Sequence, residues 1–266
     1  MEVAITAQGL LEGSLSVPGD KSISHRAVLL GSIASGQTHI TGFLPGQDCL
    51  STIRCVRQLG VEVEQLSDTE LLVYGQGPEG LTEPLEWLDC GNSGTTMRLL
   101  LGIVAAQPFT SVLVGDESLS QRPMDRVAAP LRQMVLQVEG QGDHCLPPLH
   151  VTGAKPHPLV FQSRIASAQV KSCILLAGLF AEGMTEYSAP APSRDHTERM
   201  LRGFGANLSV RGNTVTVDGP ARLVAAPVAV PGDFSSAAYF LAGAALVARS
   251  EERRVGKECK SRLSPY

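Results

Sequence analysis

Four stretches of this 266-residue chain follow one plan, and the plan returns at a period near seventy residues. Each has a start rich in Gly, Ser and Thr and continues as an apolar run rich in Leu and Ala. They are PGDKSISHRAVLLGSIASG, DCGNSGTTMRLLLGIVAAQ, SRIASAQVKSCILLAGLFAEG and PGDFSSAAYFLAGAALV. Aligned on Ser22, Ser93, Ser167 and Ser235, they lie 71, 74 and 68 residues apart. Such regularity marks a chain built from copies of one supersecondary unit. The runs are apolar on nearly every face, so the helices they form must be enclosed by other elements.

A second, more amphipathic helix follows each of the first three: DCLSTIRCVRQLGVEVE, RPMDRVAAPLRQMVLQVEG and SRDHTERMLRGFGANLSV. Asp195 with Arg199 and Glu198 with Arg202 stand four apart, which predicts ion pairs along one helix face. Alternating stretches such as Asn213-Thr-Val-Thr-Val, with glycine turns beside them, predict strands. Each unit therefore reads as strand, buried helix, strand, amphipathic helix and further strands. Three units and the start of a fourth predict one finished domain and the beginning of another.

Composition narrows the function. Hydrophobic residues at 43% and charged residues at 18% suit a soluble chain with a real core. A net charge of −4 gives no global reason to bind nucleic acid, so any anionic ligand must be met by local basic groups. The six cysteines show neither C-x-x-C pairing nor zinc spacing and read as free thiols in a cytoplasmic protein. The first twenty residues lack a basic leader followed by an apolar stretch, and no apolar run is long enough to span a bilayer.

The chemistry collects at the helix starts. In Asp20-Lys-Ser-Ile-Ser-His-Arg26, Asp20 or Ser22 can cap the helix, while Lys21, Ser22 and Arg26 bring three donors to its positive end. That set suits a phosphate or carboxylate, although a capped helix with solvated charges fits the motif equally well. The loop Asn92-Ser-Gly-Thr-Thr-Met-Arg98 offers amides and hydroxyls, with Gly94 allowing close approach of a ligand, but it is neither a P-loop nor a dinucleotide fingerprint. Arg122 stands just before a helix, with Pro123 expected in its first turn. Ser167-Ala-Gln-Val-Lys171 opens the third buried helix, and Lys171, deep in an apolar run, predicts a functional or ion-paired lysine. Arg194 projects ahead of the helix that Ser193 or Asp195 can cap. His39, His144, His150 and His157 show no recognisable partners.

Taken together and in order, Lys21-Ser22 with Arg26, the Asn92–Arg98 loop, Arg122-Pro123, Ser167-Ala-Gln169 and Ser193-Arg-Asp-His-Thr-Glu198 resemble the family of 5-enolpyruvylshikimate-3-phosphate synthases. The resemblance runs from about residue 4 to about residue 248. It implies an α/β fold of repeated βαβαββ units, the inside-out α/β barrel of enolpyruvyl transferases, with two domains hinged at two crossovers. Residues 1–18 would be strands of a truncated upper domain, 19–227 a complete lower domain of three repeats, and 228–248 the return into the upper domain. Residues 249–266 break the pattern and read as a non-native tail, like a translated sequencing adapter.

The resemblance further implies transfer of the enolpyruvyl group of phosphoenolpyruvate to the 5-hydroxyl of shikimate 3-phosphate, with no metal or organic cofactor. Lys21 would contact both substrates, Ser22 and Arg26 the carboxylate side of shikimate, and Gly94 and Arg122 the phosphoenolpyruvate, with Asn92 beside them. Ser167 and Ala168 would surround the 3-phosphate, Gln169 would touch both ligands, and Arg194 would lie beside the ring. At position 168 only the backbone amide can act. The acid and base of the reaction are implied beyond the chain end, so the chain is expected to be inactive alone. It is also expected to be a monomer, with no nucleic-acid or membrane partner. Another enolpyruvyl transferase, or a non-catalytic anion-binding domain, is the alternative.

Overall fold

A computed structural model describes residues 14–246; the expected tail and most of the expected N-terminal strands lie outside the described residues. The first unit holds α1 (Lys21–Ile33), β1 (Ser35–Thr41), α2 (Gln47–Gln58), β2 (Glu62–Ser67) and β3 (Glu70–Gln76). The second holds β4 (Leu88–Asp89), α3 (Gly94–Val104), β5 (Thr110–Val114), the short α4 (Glu117–Ser120), α5 (Asp125–Gln133), β6 (Gln137–Gln141) and β7 (Leu146–Thr152). The third holds β8 (Val160–Gln162), α6 (Ala168–Gly178), β9 (Gly183–Ser188), α7 (His196–Gly203), β10 (Leu208–Arg211) and β11 (Thr214–Gly219). The strand β12 (Val228–Ala229) and helix α8 (Phe234–Leu246) follow.

Each unit makes one four-stranded sheet, and the three sheets share a topology: β12-β1-β3-β2, β4-β5-β7-β6 and β8-β9-β11-β10. In each, the first two strands are parallel and the rest antiparallel. Units two and three supply their own parallel edge strand. Unit one instead borrows β12 from the far end of the chain, with Ile40 opposite Val228 and Thr41 opposite Ala229. Sheet pairing thus continues past residue 227. Beyond it, Asp20 donates its N–H to the Pro231 carbonyl and Asp233 donates to Pro18, both at 2.8 Å, so the chain's entry and exit run side by side.

The apolar helices α1, α3 and α6 fill the centre, as their all-round hydrophobicity requires. Leu29, Leu99, Leu101, Ile174 and Leu175 are wholly inaccessible to solvent, and full burial of each such side chain contributes about 1.5–3 kcal/mol. A repeated device closes each sheet onto its helix. Gly75, Gly153 and Gly219 press their α-carbons on carbonyls at the helix ends, at Gly31, Gln107 and Gly178 respectively, where an added Cβ would come within 2.1, 1.9 and 2.4 Å of oxygen. No side chain fits there.

The helix starts are also repeated, but two residues from where the Ser22 alignment sets the first. Asp20 caps α1 by accepting from the Ile23 N–H, Ser93 caps α3 through Thr96, and Ser167 caps α6 through Val170. A carboxylate serves the role that serine hydroxyls serve elsewhere, and of the two caps that the sequence offers for α1, Asp20 is the one used. Pro123 is likewise outside its expected place: α5 begins at Asp125 with Met124 as its N-cap, so Pro123 stands ahead of the helix.

Candidate anion-binding site

The starts of α1, α3 and α6 meet at one end of the central bundle. Gln169 donates from Nε2 to Thr95 Oγ1 at 3.0 Å, joining the first turns of α6 and α3. Further along, Gly102 packs against the Cys173 backbone, so these two helices run parallel. Arg26 of α1 reaches Ser172 of α6 at 2.8 Å and Thr197 of α7 at 2.7 Å. First-turn amides have no helical acceptors, and the positive dipole ends add in one place. Such a mouth attracts anions.

Around it stand the residues predicted from sequence. Lys21 is exposed and pairs with Asp48 at 3.0 Å. Ser22 Oγ accepts from Arg194 Nη1 at 3.3 Å, which brings a residue 172 positions away onto the first turn of α1. Arg122 donates to Asn92 Oδ1 at 2.7 Å and Ser118 Oγ at 3.0 Å, and Asn92 donates onward to Asp116 at 2.7 Å. The Asn92 amide thus links Arg122 to Asp116. Arg26 is buried, with Nε, Nη1 and Nη2 each bonded within the protein. Three of its five N–H groups are thus used within the protein. Ser167 caps α6, so its hydroxyl and the Ala168 amide lie together at that helix start.

Arg98 belongs to this set, although it stands in the quoted loop without an assigned role. Its Nη1 donates to Gln169 Oε1 at 2.9 Å, and burial, with Arg122 and Arg126 close by, lowers its affinity for its proton. Three guanidiniums stand together here with Asp125 and Asp116 as the nearby carboxylates, which leaves an excess of positive charge suited to an anion. The signal was available: an arginine inside an apolar helix, as unusual as Lys171. Gly94 sits between two of these cations; a Cβ there would lie 2.9 Å from Arg98 Nη1 and 3.6 Å from Arg122 Nη1.

Behind Arg194 opens a cavity of about 460 Å³ whose walls include Lys171, Tyr187 and Glu198. Lys171 is ion-paired, as its place in the sequence predicts, but its partner overturns another expectation. Glu198 turns inward to Lys171 instead of along the helix to Arg202, and both side chains are about 95% buried. His39 also has a partner after all, Glu70 Oε1 at 2.6 Å across β1 and β3. Neither pairing is visible in sequence because both are made between elements.

Beneath the mouth, His25 Nδ1 shares a hydrogen bond with Thr52 Oγ1 at 2.7 Å, and Thr52 continues to Thr96 at 2.7 Å. Burial, with Arg26 and Lys21 adding to it against Asp48, pushes the imidazole down to about 3 from 6.5. Unfolded chains protonate this histidine near 6.5 and the native protein does not until about 3. Its contribution is therefore whole above the higher value and lost as pH falls toward the lower, at up to about 1.4 kcal/mol per pH unit. Urea unfolding of parent and His25→Gln should diverge accordingly: a steeper loss of stability in the parent between about pH 6 and pH 4 is expected. Equal slopes would contradict a neutral buried histidine.

Among the described residues no His, Cys, Asp or Glu cluster suits a metal ion, and no helix is long and apolar enough to cross a membrane. Comparison with known proteins gives this arrangement a family. The model of the EPSP synthase (3-phosphoshikimate 1-carboxyvinyltransferase) family matches residues 5–251. The 3-phosphoshikimate 1-carboxyvinyltransferase of Geobacillus kaustophilus is 57% identical over 241 residues, covering 91% of this chain and 56% of that protein. That of Desulforamulus reducens is 51% identical over 251 residues, covering 94% and 58%. A solved EPSP synthase from Acinetobacter baumannii superposes with a TM-score of 0.84 at 49% identity, covering 88% of this chain and 54% of that one. The chain thus spans little more than half the length of the relatives it matches. A match along nearly the whole sequence, with the same fold, leaves one assignment: this chain belongs to the EPSP synthase family.

Proposed function

We propose that the protein of which this chain forms part transfers the enolpyruvyl group of phosphoenolpyruvate to the 5-hydroxyl of shikimate 3-phosphate and releases phosphate. The observation that carries this reading is the meeting of three helix starts with Lys21, Arg98, Arg122 and Arg194. Two multiply charged substrates need just such a mouth. Residues 19–227, with β12, form the substrate-holding domain, and the paired segments near Pro18 and Pro231 serve as its crossover hinge. Lys21, Ser22, Arg26, Ser167, Ala168, Gln169 and Arg194 hold shikimate 3-phosphate; Lys21, Asn92, Gly94, Arg122 and Gln169 serve phosphoenolpyruvate. The side chains proposed to hold the substrates are cations, hydroxyls and amides. They bind, orient and stabilise developing charge on the departing phosphate, while the proton transfers are assigned to no residue of this chain.

The relatives' names favour this transferase over a sugar-nucleotide enzyme or a binding module. The protein is proposed to act as a cytoplasmic monomer without nucleic-acid or membrane partners. Phosphate release by the full-length protein should require both substrates together. Release from phosphoenolpyruvate with a UDP-sugar, but not with shikimate 3-phosphate, would overturn the reading.

Gly94 supplies a sharper test. A methyl group at this position projects between the Arg98 and Arg122 guanidiniums, into the space a phosphoenolpyruvate analogue such as glyphosate would fill. In the full-length protein, Gly94→Ala should raise the glyphosate concentration for half-inhibition by about tenfold or more, the usual consequence of one misplaced methyl in a tight pocket. Equal sensitivity of variant and parent would place the analogue elsewhere.

A further inference from the structure

Two rungs join α6 to α7 inside the protein. One is the buried pair of Lys171 and Glu198; the next is the 2.6 Å bond between Ser172 and Thr197, their chain neighbours. Arg26 of α1 caps the second rung, with Nε on Thr197 at 2.7 Å and Nη2 on Ser172 at 2.8 Å. The guanidinium is thus aimed by two hydroxyls whose separation the ion pair next to them sets. Glu198 Oε2 has no hydrogen-bond partner, so this carboxylate is held by charge: Lys171 on one side, and Arg26, whose cationic form it favours, on the other. The same turn of α7 follows Arg194, which reaches back to Ser22.

We propose that Lys171 and Glu198 are positioning residues for the anion site, fixing α7 against α6 so that Thr197 and Ser172 aim Arg26 at the mouth. They touch no substrate themselves. The role of Arg26 toward shikimate 3-phosphate rests on the function proposed above; the aiming of its guanidinium does not.

Buried ion pairs can often be exchanged for apolar residues of like volume without loss of stability, whereas removing one partner strands a charge. The 266-residue chain carrying Lys171→Met with Glu198→Leu therefore separates positioning from folding. Thermal melting checks that it folds, and the charge-reversed pair Lys171→Glu with Glu198→Lys provides a second folded variant, with a cation now facing Arg26. Two readouts are taken: the exchange rate of the Arg26 Nε–H by NMR, with the signal assigned from its loss in Arg26→Lys, and the affinity for shikimate 3-phosphate by calorimetry. In both double variants Nε–H exchange should rise, and affinity fall, by about tenfold, the scale expected for misaimed contacts. Unchanged exchange in either variant that melts like the parent would overturn the proposal. Faster exchange in a chain whose parent binds no shikimate 3-phosphate would uphold the positioning role and sink the proposed function instead.

Discussion

Replacing Gly102 with alanine should destabilise the protein by about 3 kcal/mol, the upper range for overpacking in a close-packed core. The new Cβ would stand 2.4 Å from the Cys173 carbonyl oxygen and 3.2 Å from the Cys173 α-carbon. The obstacle is backbone, in the middle of α6, and cannot rotate away as a side chain could. α3 must therefore move off α6, and Leu101, Ile103 and Ile174, all wholly buried, lose contacts on both sides. Because Thr95 and Gln169 bridge these helices near their starts, the shift should reach the mouth as well. Urea unfolding measures the first effect. A change below about 1 kcal/mol would mean that the helices are not in the close contact described.

Glu198→Gln should cost more still, about 3–5 kcal/mol, because an amide of equal shape leaves the Lys171 ammonium buried without its counter-charge. For a chain of this size that is a fall in melting temperature of roughly 10 °C. Exposed pairs supply the contrast. Lys155 and Glu182, both mostly exposed, also meet in the structure, yet Glu182→Gln should change stability by no more than about 0.5 kcal/mol. Differential scanning calorimetry of the two variants side by side decides the matter. Similar melting temperatures would show that the Lys171–Glu198 pair is hydrated and not buried.

The architecture was legible to the extent that it repeats. Apolar runs spaced near seventy residues announce enclosed helices, and α1, α3 and α6 are enclosed; the alternation around Thr214 announces a strand, and β11 is one. What the repeat conceals is closure. Nothing in Val228-Ala229 marks it as the missing edge of the first sheet, because the pairing partner lies 188 residues earlier. The site divides in the same way. Residues proposed for the site at or near a helix start, such as Lys21, Ser22, Gly94, Arg122 and Ser167, stand out because caps, glycines and charges cluster there. Arg98 and Ser172 lie one turn inside apolar helices, and Thr197 and Glu198 stand in the polar first turn of α7, where local sequence shows nothing of their partners on α1 and α6. Glu198 was the more deceptive, since a helix-face partner at Arg202 offered itself. Tertiary geometry, in which α7 packs on α1 and its side chains reach α6, chose Lys171.

If three helix starts form a site for shikimate 3-phosphate, calorimetric titration of the 266-residue chain with that compound should show it. Weak but saturable binding is predicted, lost in Arg26→Ala and absent when a UDP-sugar is the titrant. No heat from shikimate 3-phosphate with a chain that melts cooperatively, or binding of the UDP-sugar in its place, would mean that the three helix starts form no such site.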